Sequence, residues 1–313
     1  MPQNLKADLL LTFCTLVWGA TFVIVKDALA DASVLVFLAL RFIVAAAVLA
    51  VIYRGELARL WRAGLGAAAL PGGTLMGCLL FGGFALQTAG IKFTSPSKAA
   101  FITGFSVVLV PVLLAFSSRT RLNGWVWTGA LAALGGLYYL AVPSAREFSR
   151  LNRGDLLVLC AAVLFALHII TVGAYTARHP PGALSLIQVL VMALLSLIAL
   201  ALFAATRWQP VRVHWTAELV AAITVTGVLA TALAFSAQVW AQQHASSSHT
   251  AILFSLEPVF AAATSFVFLH ERLGGRALAG AALILAGILL VELREPAQPA
   301  APESLAQPAE PCR

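Results

Sequence analysis

Apolar stretches of about 20 residues, separated by short polar or glycine- and proline-containing segments, run along most of the chain. An α-helix needs about 20 apolar residues to cross the hydrocarbon core of a bilayer, whereas a membrane β-strand needs only about 10 with alternating polarity. The pattern therefore predicts an all-α integral membrane protein. We expect ten transmembrane helices, at residues 8–28, 34–53, 66–90, 96–117, 123–142, 155–176, 183–205, 216–240, 247–269 and 275–293.

The two halves of the sequence resemble each other. Gln87 aligns with Gln238 at an offset of 151 residues (238 − 87 = 151). Nearer the N-terminus the offset is 147 residues (155 − 8 = 147), because Asp8 aligns with Asp155. Such self-similarity indicates one structural unit used twice.

The repeat predicts an inverted arrangement of its two copies. Each copy holds five spans, and because five is odd, the second copy enters the membrane from the opposite side. The expected domains are two five-helix repeats at residues 1–145 and 153–294, followed by a tail at 295–313 whose proline, alanine and acidic residues predict disorder. Inverted repeats are the usual construction of secondary transporters that work by alternating access.

The distribution of positive charge gives little information about the orientation of the spans in the membrane. An even number of spans puts both termini on one side of the membrane, where nine Lys or Arg residues stand against ten on the other side. The count itself therefore decides nothing. The neighbourhood of the first span usually dominates, and it predicts that both termini are cytoplasmic.

Composition indicates a membrane protein and excludes a soluble one. Hydrophobic residues make up 61% of the chain and charged residues only 11%, with a mean hydropathy of +0.93. Soluble domains carry about 25% charged residues. The net charge of +7 is compatible with nucleic-acid binding, but the arginines lie at span ends, as membrane topology requires. The expected partner is therefore the lipid bilayer and not a nucleic acid.

Sequence motifs for common catalytic chemistries are absent. Cys14, Cys78, Cys160 and Cys312 are isolated and form no CxxC pair. The chain contains neither a GxxxxGK[ST] nucleotide-binding loop nor an HExxH pair. We therefore expect no cofactor, no metal and no catalytic residue.

Glu257 is the only acidic residue well inside a predicted span, where a charge costs about 2.5–3.5 kcal/mol. It is therefore expected to face the interior of the bundle. Two interpretations stand equally: a carboxylate that couples transport to protons or substrate, and a structural acid bonded to the kink at Pro258. In the first half, Pro111 is expected to form the matching kink one turn later than the equivalent position.

Amide and imidazole side chains also lie inside predicted spans. Gln87 and Gln238 occupy equivalent positions, where an amide suits hydrogen bonding to a substrate or to another helix. His168 aligns with Thr21 in an otherwise apolar run. It suits either a hydrogen bond in the core, which is favoured, or a proton relay.

Three cationic side chains have alternative interpretations. Arg41 aligns with Gln188 and is able to partner Glu257, to bind a substrate carboxylate, or to extend to the membrane surface, the last two being favoured. Lys98 and His249 occupy equivalent first turns of spans 4 and 9, where a cation opposes the helix dipole. Their alternatives are a role in gating and simple solvation at the membrane surface.

Aromatic and hydroxyl side chains complete the set of candidates. Trp18 is suited to an aromatic wall for an amphipathic substrate, with an aromatic belt at the membrane interface as the alternative. Thr103, Ser106 and Ser255 lie at a similar depth on spans 4 and 9. Such hydroxyls either face a substrate or bond to carbonyls of their own helices.

Glycines recur seven residues apart in spans 5 and 10, at positions 129 and 136 and again at 280 and 287. Glycines at helical spacing allow close approach of two helices. The alternatives are a homodimer face and packing within the chain, of which the second is favoured.

Several short motifs together resemble those of the drug/metabolite transporter superfamily. They are Trp18-Gly19 with Phe22, Arg41-Phe42, the run at 107–111, Ser255–Pro258, and His270-Glu271-Arg272-Leu273. The combination is similar to the ten-span EamA-type permeases with two EamA units, and it covers the chain up to the tail.

The resemblance implies a carrier in the bacterial inner membrane that exports amino acids, metabolites or drugs by alternating access. It also implies a central cavity lined by spans 1, 3, 4, 6, 8 and 9, with both termini in the cytoplasm. Apart from the resemblance, we expect Glu257 to be the residue through which transport couples to protons. The candidate cavity residues are Trp18, Gln87, Thr103, Ser106, His168, Gln238, Ser255 and Glu257.

Two alternatives to an exporter stay open. An uptake or nucleotide-sugar carrier would have the same fold. A membrane-embedded enzyme that modifies lipids belongs to a different class, and it predicts clustered acidic or histidine residues at an interface, whereas those in this sequence are scattered.

Overall fold

The computed structural model describes residues 3–62, 65–94, 96–117, 123–141, 152–206, 211–269 and 274–294. In these residues the fold is built from α-helices, one π-helical segment and an isolated antiparallel bridge between Ala32 and Val213. The predicted tail at 295–313 lies outside the described residues, as does the whole motif at 270–273.

The helices of the first half are α1 (Gln3–Asp31), α2 (Val34–Ile52), α3 (Arg54–Arg62), α4 (Leu65–Ile91), α5 (Pro96–Gly104), α6 (Ser106–Ser117) and α7 (Gly124–Ala141). Those of the second half are α8 (Arg153–Thr176), α9 (Pro181–Thr206), α10 (Ala217–Gly227), the π-helical segment Val228–Leu233, α11 (Ala234–Ala241), α12 (Ser247–Phe254), α13 (Glu257–Leu269) and α14 (Gly275–Arg294).

Within the described residues, seven helical stretches are long and apolar enough to cross a membrane. They are Gln3–Asp31, Val34–Ile52, Ala68–Ile91, Lys98–Phe116, Arg153–Thr176, Pro181–Ala205 and Ala217–Ala241. The three other predicted spans coincide with α7, with α12 and α13 together, and with α14. The all-helical, multi-pass membrane character expected from the sequence is confirmed.

Two of the predicted spans are broken helices, and the breaks fall at equivalent positions. The first break is at Phe105, whose N–H donates to the carbonyl of Ile102 at 3.2 Å. The second is at Ser255 and Leu256, where the Leu256 N–H donates to the Leu253 carbonyl at 3.0 Å. Phe105 and Leu256 are related by the offset of 151 residues. In both, a tighter i→i−3 bond ends the helix.

The helix break of the first half does not lie at Pro111, and the kink expected at Pro111 stays a prediction. Pro111 lies inside α6, six residues after the break at Phe105. In the second half, Pro258 is the second residue of α13, where its missing N–H is not needed for a helical bond. Proline therefore begins a helix at the second break, and the first break forms without proline.

The repeated glycines lie between α7 and α14 of the same chain. A Cβ atom at Gly136 would lie 2.6 Å from the carbonyl oxygen of Gly280, and one at Gly287 would lie 2.9 Å from the carbonyl oxygen of Gly129. Only glycine permits helices to approach this closely. These glycines are therefore covered by packing within the chain, and a homodimer would have to use another face.

Helix α8 runs antiparallel to α4, so the end of each of these two helices lies beside the start of the other. A Cβ atom at Gly90, near the end of α4, would lie 2.8 Å from the carbonyl oxygen of Gly154, at the start of α8. A Cβ atom at Gly72, near the start of α4, would touch the ring of Tyr175, at the end of α8. A cavity lies in the interior of the bundle, between α1, α2, α4, α8 and the broken helices.

Candidate functional site

A cavity of about 80 Å³ lies in the interior of the helix bundle. Its lining comes from α1, α2, α4, both broken helices, α8 and α11. The volume has room for several water molecules or for a small organic solute. Seven of the eight candidate residues line it: Trp18, Gln87, Thr103, Ser106, His168, Gln238 and Glu257.

Ser255 is the candidate that does not line the cavity. Its hydroxyl donates to the carbonyl of Ile252 at 2.6 Å, and the residue is buried. This is the alternative in which a hydroxyl bonds to its own helix, and it occurs because Ser255 ends α12 at the break.

The cavity wall draws equivalent positions from the two halves. At the offset of 147 residues, Thr21 pairs with His168 and Trp18 with Phe165. At the offset of 151, further lining pairs are Phe84 with Phe235, Gln87 with Gln238, and Ser106 with Glu257. Much of the cavity wall is therefore formed by residues at equivalent positions of the two repeats, although the side chains of several pairs differ in type.

Aromatic rings form a continuous wall of the cavity. The ring centroid of Trp18 lies 5.2 Å from that of Phe235 and 5.0 Å from that of Phe254. The ring of Phe84 lies 5.3 Å from Phe165 and 5.9 Å from Phe235. The Trp18–Phe235 contact is tilted and the other three are edge-to-face, and together they give the wall an apolar surface.

Trp18 is oriented by the π-helical segment. Its indole Nε1–H donates to the carbonyl of Ala230 at 2.8 Å. A π-helix carries one extra residue per turn, and such segments occur frequently at functional sites. Within the described residues it occurs at Val228–Leu233 alone, and α4 has no equivalent of it.

The two equivalent glutamines have different hydrogen-bond partners. The Gln87 amide donates to the Thr103 hydroxyl at 2.9 Å. The Gln238 amide donates to the side-chain oxygen of Gln242 at 2.8 Å, while its own side-chain oxygen is buried without a partner among the described residues. An unmet buried acceptor costs about 1–3 kcal/mol, so Gln238 offers an acceptor to a donor that enters the cavity.

His168 is bonded within the second half. Its Nε2 lies 3.0 Å from the side-chain oxygen of Gln188, and its ring stands edge-on to Phe235 at 5.8 Å. The favoured interpretation, a hydrogen-bonded histidine in the core, agrees with this geometry. The ring nevertheless forms part of the cavity wall.

Arg41 lines the cavity, so the expectation that it extends to the membrane surface was wrong. The residue is only 2% exposed. Its Nε–H donates to the Thr231 hydroxyl at 2.8 Å, and its guanidinium carbon lies 4.5 Å from the centroid of Phe84. In the described residues Arg41 forms no ion pair with Glu257. Sequence reasoning left Arg41 out of the site, although its place near the middle of α2 was a signal of burial.

Glu257 is the first residue of α13, directly after the helix break. A carboxylate at a helix N-terminus is stabilised by the helix dipole, so the break provides a favourable place for this acid inside the bundle. The described residues supply no hydrogen bond or ion pair to its side chain. A Cβ atom at Gly19 would lie 2.5 Å from the Glu257 carbonyl oxygen, so the start of α13 packs directly against α1.

Two ion pairs lie away from the cavity. Lys98 Nζ lies 2.6 Å from Asp155 Oδ2, and His249 Nε2 lies 2.8 Å from Asp8 Oδ1. The acids align at the offset of 147 residues, and the cations align at 151. Simple solvation was therefore the wrong alternative for Lys98 and His249, because each contacts a carboxylate.

Comparison with known proteins decides the family. The model of the EamA-like transporter family matches residues 5–142 and 152–293. The chain belongs to the EamA-like transporter family. Its resemblance to the drug/metabolite transporter superfamily is thereby confirmed, and it is a membrane transporter.

Relatives of this EamA-like transporter are themselves described as transporters. An "Uncharacterized transporter" of Archaeoglobus fulgidus is 31% identical over 292 residues, which cover 93% of this chain and 87% of that protein. "Threonine/homoserine exporter RhtA" of Salmonella typhimurium is 30% identical over 190 residues, covering 59% of this chain and 61% of the exporter. A solved structure, described only as "Crystal structure of protein", has a TM-score of 0.75 at 22% identity and covers 92% of this chain and 96% of that one, which shows the fold.

Proposed function

We propose that this EamA-like transporter is a secondary carrier that exports small organic solutes, amino acids among them, by alternating access. The observation that carries the proposal is the central cavity with lining positions from both halves. A carrier must open one binding site to each side in turn, and a site at the interface of two repeats permits this.

The proposed architecture has ten spans in two inverted five-helix repeats, at residues 1–145 and 153–294. The equivalent breaks at Phe105 and Leu256 and the equivalent lining pairs support it. Discontinuous helices at the interface of inverted repeats are typical of carrier binding sites. Both termini are proposed to face the cytoplasm of a bacterial cell, across its inner membrane.

The direction of transport is proposed from a relative and not from geometry. The name of RhtA describes export of threonine and homoserine, and the matched segment covers 59% of this chain. An uptake carrier or a nucleotide-sugar carrier would have the same fold. A lipid-modifying enzyme is disfavoured because the described part of the chain holds no group of three or more His, Cys, Asp or Glu able to bind a metal.

An efflux experiment tests the proposal. Cells that express the intact protein and cells that express Gln87→Ala/Gln238→Ala would be compared for solutes accumulating in the medium, with empty cells as the reference. We expect one or more small solutes to accumulate only with the intact protein, because both amides line the cavity. Accumulation equal to that of empty cells, for every solute measured, would contradict an exporter.

Proton coupling is proposed to pass through Glu257, because this acid lines the cavity and the described residues offer it no ion pair. In proteoliposomes an imposed pH gradient is expected to drive uphill transport by the intact protein. Glu257→Gln is expected to keep solute exchange but to lose uphill transport. Full gradient-driven transport by Glu257→Gln would contradict proton coupling through Glu257.

A further inference from the structure

We infer that Arg41 is the anchor for an anionic group, so that the transported solute carries a carboxylate. This inference rests on the proposed function and specifies the chemistry that the cavity recognises. It starts from an imbalance: a guanidinium lines the cavity without forming an ion pair among the described residues.

The surroundings of Arg41 hold the guanidinium in place without neutralising it. Thr231 accepts one hydrogen bond from Nε, and Phe84 lies under the guanidinium plane. Both contacts fix its direction, yet neither carries a negative charge. A cation inside a membrane protein needs either a counter-charge or water, and the cavity is the space from which either can come.

Glu257 lines the same cavity but does not meet this need by contact. No ion pair joins the two residues in the described structure, and Glu257 has no bonding partner of its own there. A solute with one anionic and one cationic group can occupy the space with both charges matched. The cavity therefore favours a carboxylate at Arg41, with an ammonium group at Glu257 as its complement.

The second half carries no charge at the position equivalent to Arg41. The position equivalent to Arg41 is Gln188, which is buried and lies 3.0 Å from His168. A neutral amide thus occupies the same place in the other copy. Arg41→Gln reproduces that chemistry in the first half, and it is the natural test variant.

The experiment measures binding by the thermal stability of the purified full chain in detergent. The probes are the common L-amino acids and simple mono- and dicarboxylates, each beside its neutral amide or alcohol analogue. We expect some carboxylates to raise the melting temperature while their neutral analogues do not. Arg41→Gln should weaken that response about 10- to 100-fold in concentration, as expected for loss of a charge-assisted hydrogen bond. Arg41→Lys should keep part of it, because it retains the charge but not the planar fork.

Arg59→Gln, an exposed arginine on α3, is the matched control and should respond like the intact protein. Stabilisation by neutral or cationic solutes alone, no response to any carboxylate, or an unchanged carboxylate response in Arg41→Gln would each overturn the inference. The melting assay measures binding and not transport. If the protein exports solutes but Arg41 does not contribute to binding them, the proposed carrier function stands and only the inference about Arg41 fails.

A second inference comes from the two ion pairs, independently of the cavity. We infer that the Asp8–His249 pair and the Asp155–Lys98 pair close opposite ends of the carrier. Lys26 marks the end where Asp155 lies: it donates to the carbonyl of Thr94 at 2.6 Å, and the Thr94 hydroxyl donates to Asp155 at 2.7 Å.

The distance between the two ion pairs follows from α1. Asp8 and Lys26 lie on this one helix, 18 residues apart (26 − 8 = 18). At a rise of 1.5 Å per residue the separation is about 27 Å, close to the thickness of a bilayer core. The cavity residues Trp18 and Thr21 lie between them on the same helix. One ion pair therefore stands on each side of the cavity.

Each pair joins a helix of one half to a helix of the other. Asp8 on α1 meets His249 on α12, and Asp155 on α8 meets Lys98 on α5. Rocking of one half against the other must separate these partners alternately. Both pairs are formed in the structure.

The test measures access to the cavity from each side. A single reporter cysteine at Thr88, which lines the cavity, would be placed in a chain whose four native cysteines are replaced by serine. Vesicles of both orientations, identified by an N-terminal tag, would be labelled with a membrane-impermeant maleimide. Asp8→Asn should increase labelling from the side of the N-terminus, and Asp155→Asn should increase it from the other side.

The exposed Asp27 on α1 provides the matched control, Asp27→Asn, which should change neither rate. If Asp8→Asn fails to fold, the exchange Asp8→His/His249→Asp restores the pair with its charges reversed and should label like the unsubstituted reporter chain. Unchanged labelling in both acid variants, or an increase from the same side in both, would show that the ion pairs stabilise the fold and do not control access to the cavity.

Discussion

The two halves of the cavity share a backbone plan but differ in their chemistry. In both halves the helix after the glutamine is broken at an equivalent residue, and an aromatic side chain and a glutamine line the wall. The first half contributes a cation at Arg41, whereas the equivalent residue of the second half is the neutral Gln188. The second half contributes an acid at Glu257, whereas the equivalent residue of the first half is Ser106. In the proposed inverted arrangement, side-chain differences of this kind are able to give a bound solute a preferred orientation.

The largest effect is expected where the halves are alike, in the packing of α7 on α14. A Cβ atom at Gly280 would lie 2.5 Å from the backbone nitrogen of Leu140, and one at Gly136 would lie 2.6 Å from the carbonyl oxygen of Gly280. Gly136→Leu and Gly280→Leu should therefore both prevent folding, each costing at least about 3 kcal/mol. Size-exclusion profiles in detergent measure this. Gly124→Leu, where nothing lies within 4 Å, is the control, and a normal profile for Gly136→Leu or Gly280→Leu would refute the equivalence.

A large effect on transport, but not on folding, is expected where the halves differ in charge. Glu257→Gln should abolish uphill transport, whereas Ser106→Ala at the equivalent position should reduce it less than about threefold, because a hydroxyl contributes a smaller interaction than a carboxylate. Transport into proteoliposomes under a pH gradient measures both variants. Equal losses would mean that the two halves contribute alike at this depth.

A moderate effect separates the two glutamines. Gln87→Met should lower the free energy of unfolding by about 1 kcal/mol, because it leaves the Thr103 hydroxyl without its partner. Gln238→Met should cost less, since it also removes a buried oxygen that has no partner among the described residues. Melting temperatures in detergent compare the two. The contrast fails if Gln238→Met is the more destabilising change.

The smallest effect is expected for Trp18→Phe, which makes this position match Phe165 of the second half. The change keeps an aromatic ring but removes the indole hydrogen bond to the Ala230 carbonyl. A loss of about 1 kcal/mol in stability is expected. Trp18→Leu, which also removes the ring contacts with Phe235 and Phe254, should cost more and serves as the comparison in the same melting assay.

Much of the helical fold and of the candidate site could be predicted from the sequence. Spans of about 20 apolar residues leave few alternatives to a membrane helix, because backbone polar groups cannot remain unpaired in lipid. Polar residues inside those spans are costly unless they face the interior, which is why most of the predicted candidates line one cavity. Aligning the halves located the equivalent glutamines before their contacts were known.

Other features required the tertiary structure. Pro111 was expected to mark the kink of the first half, but the break at Phe105 involves a residue type that carries no such signal. Ser255 looked like Ser106 in sequence, yet its hydroxyl bonds to its own helix because it lies at the end of α12. The π-helical segment likewise has no composition that distinguishes it from an α-helix.

The sequence by itself determined that the chain crosses a membrane as helices, that it repeats, and that most of the candidate polar residues face the interior, because the cost of polar groups in lipid acts on each residue separately. The tertiary structure alone decided that Arg41 turns into the cavity and that Lys98 and His249 meet carboxylates. Those outcomes depend on where helices distant in sequence come into contact. Hydrogen bonds and ion pairs act over only a few ångströms, so their partners are settled by packing and not by the pattern along the chain.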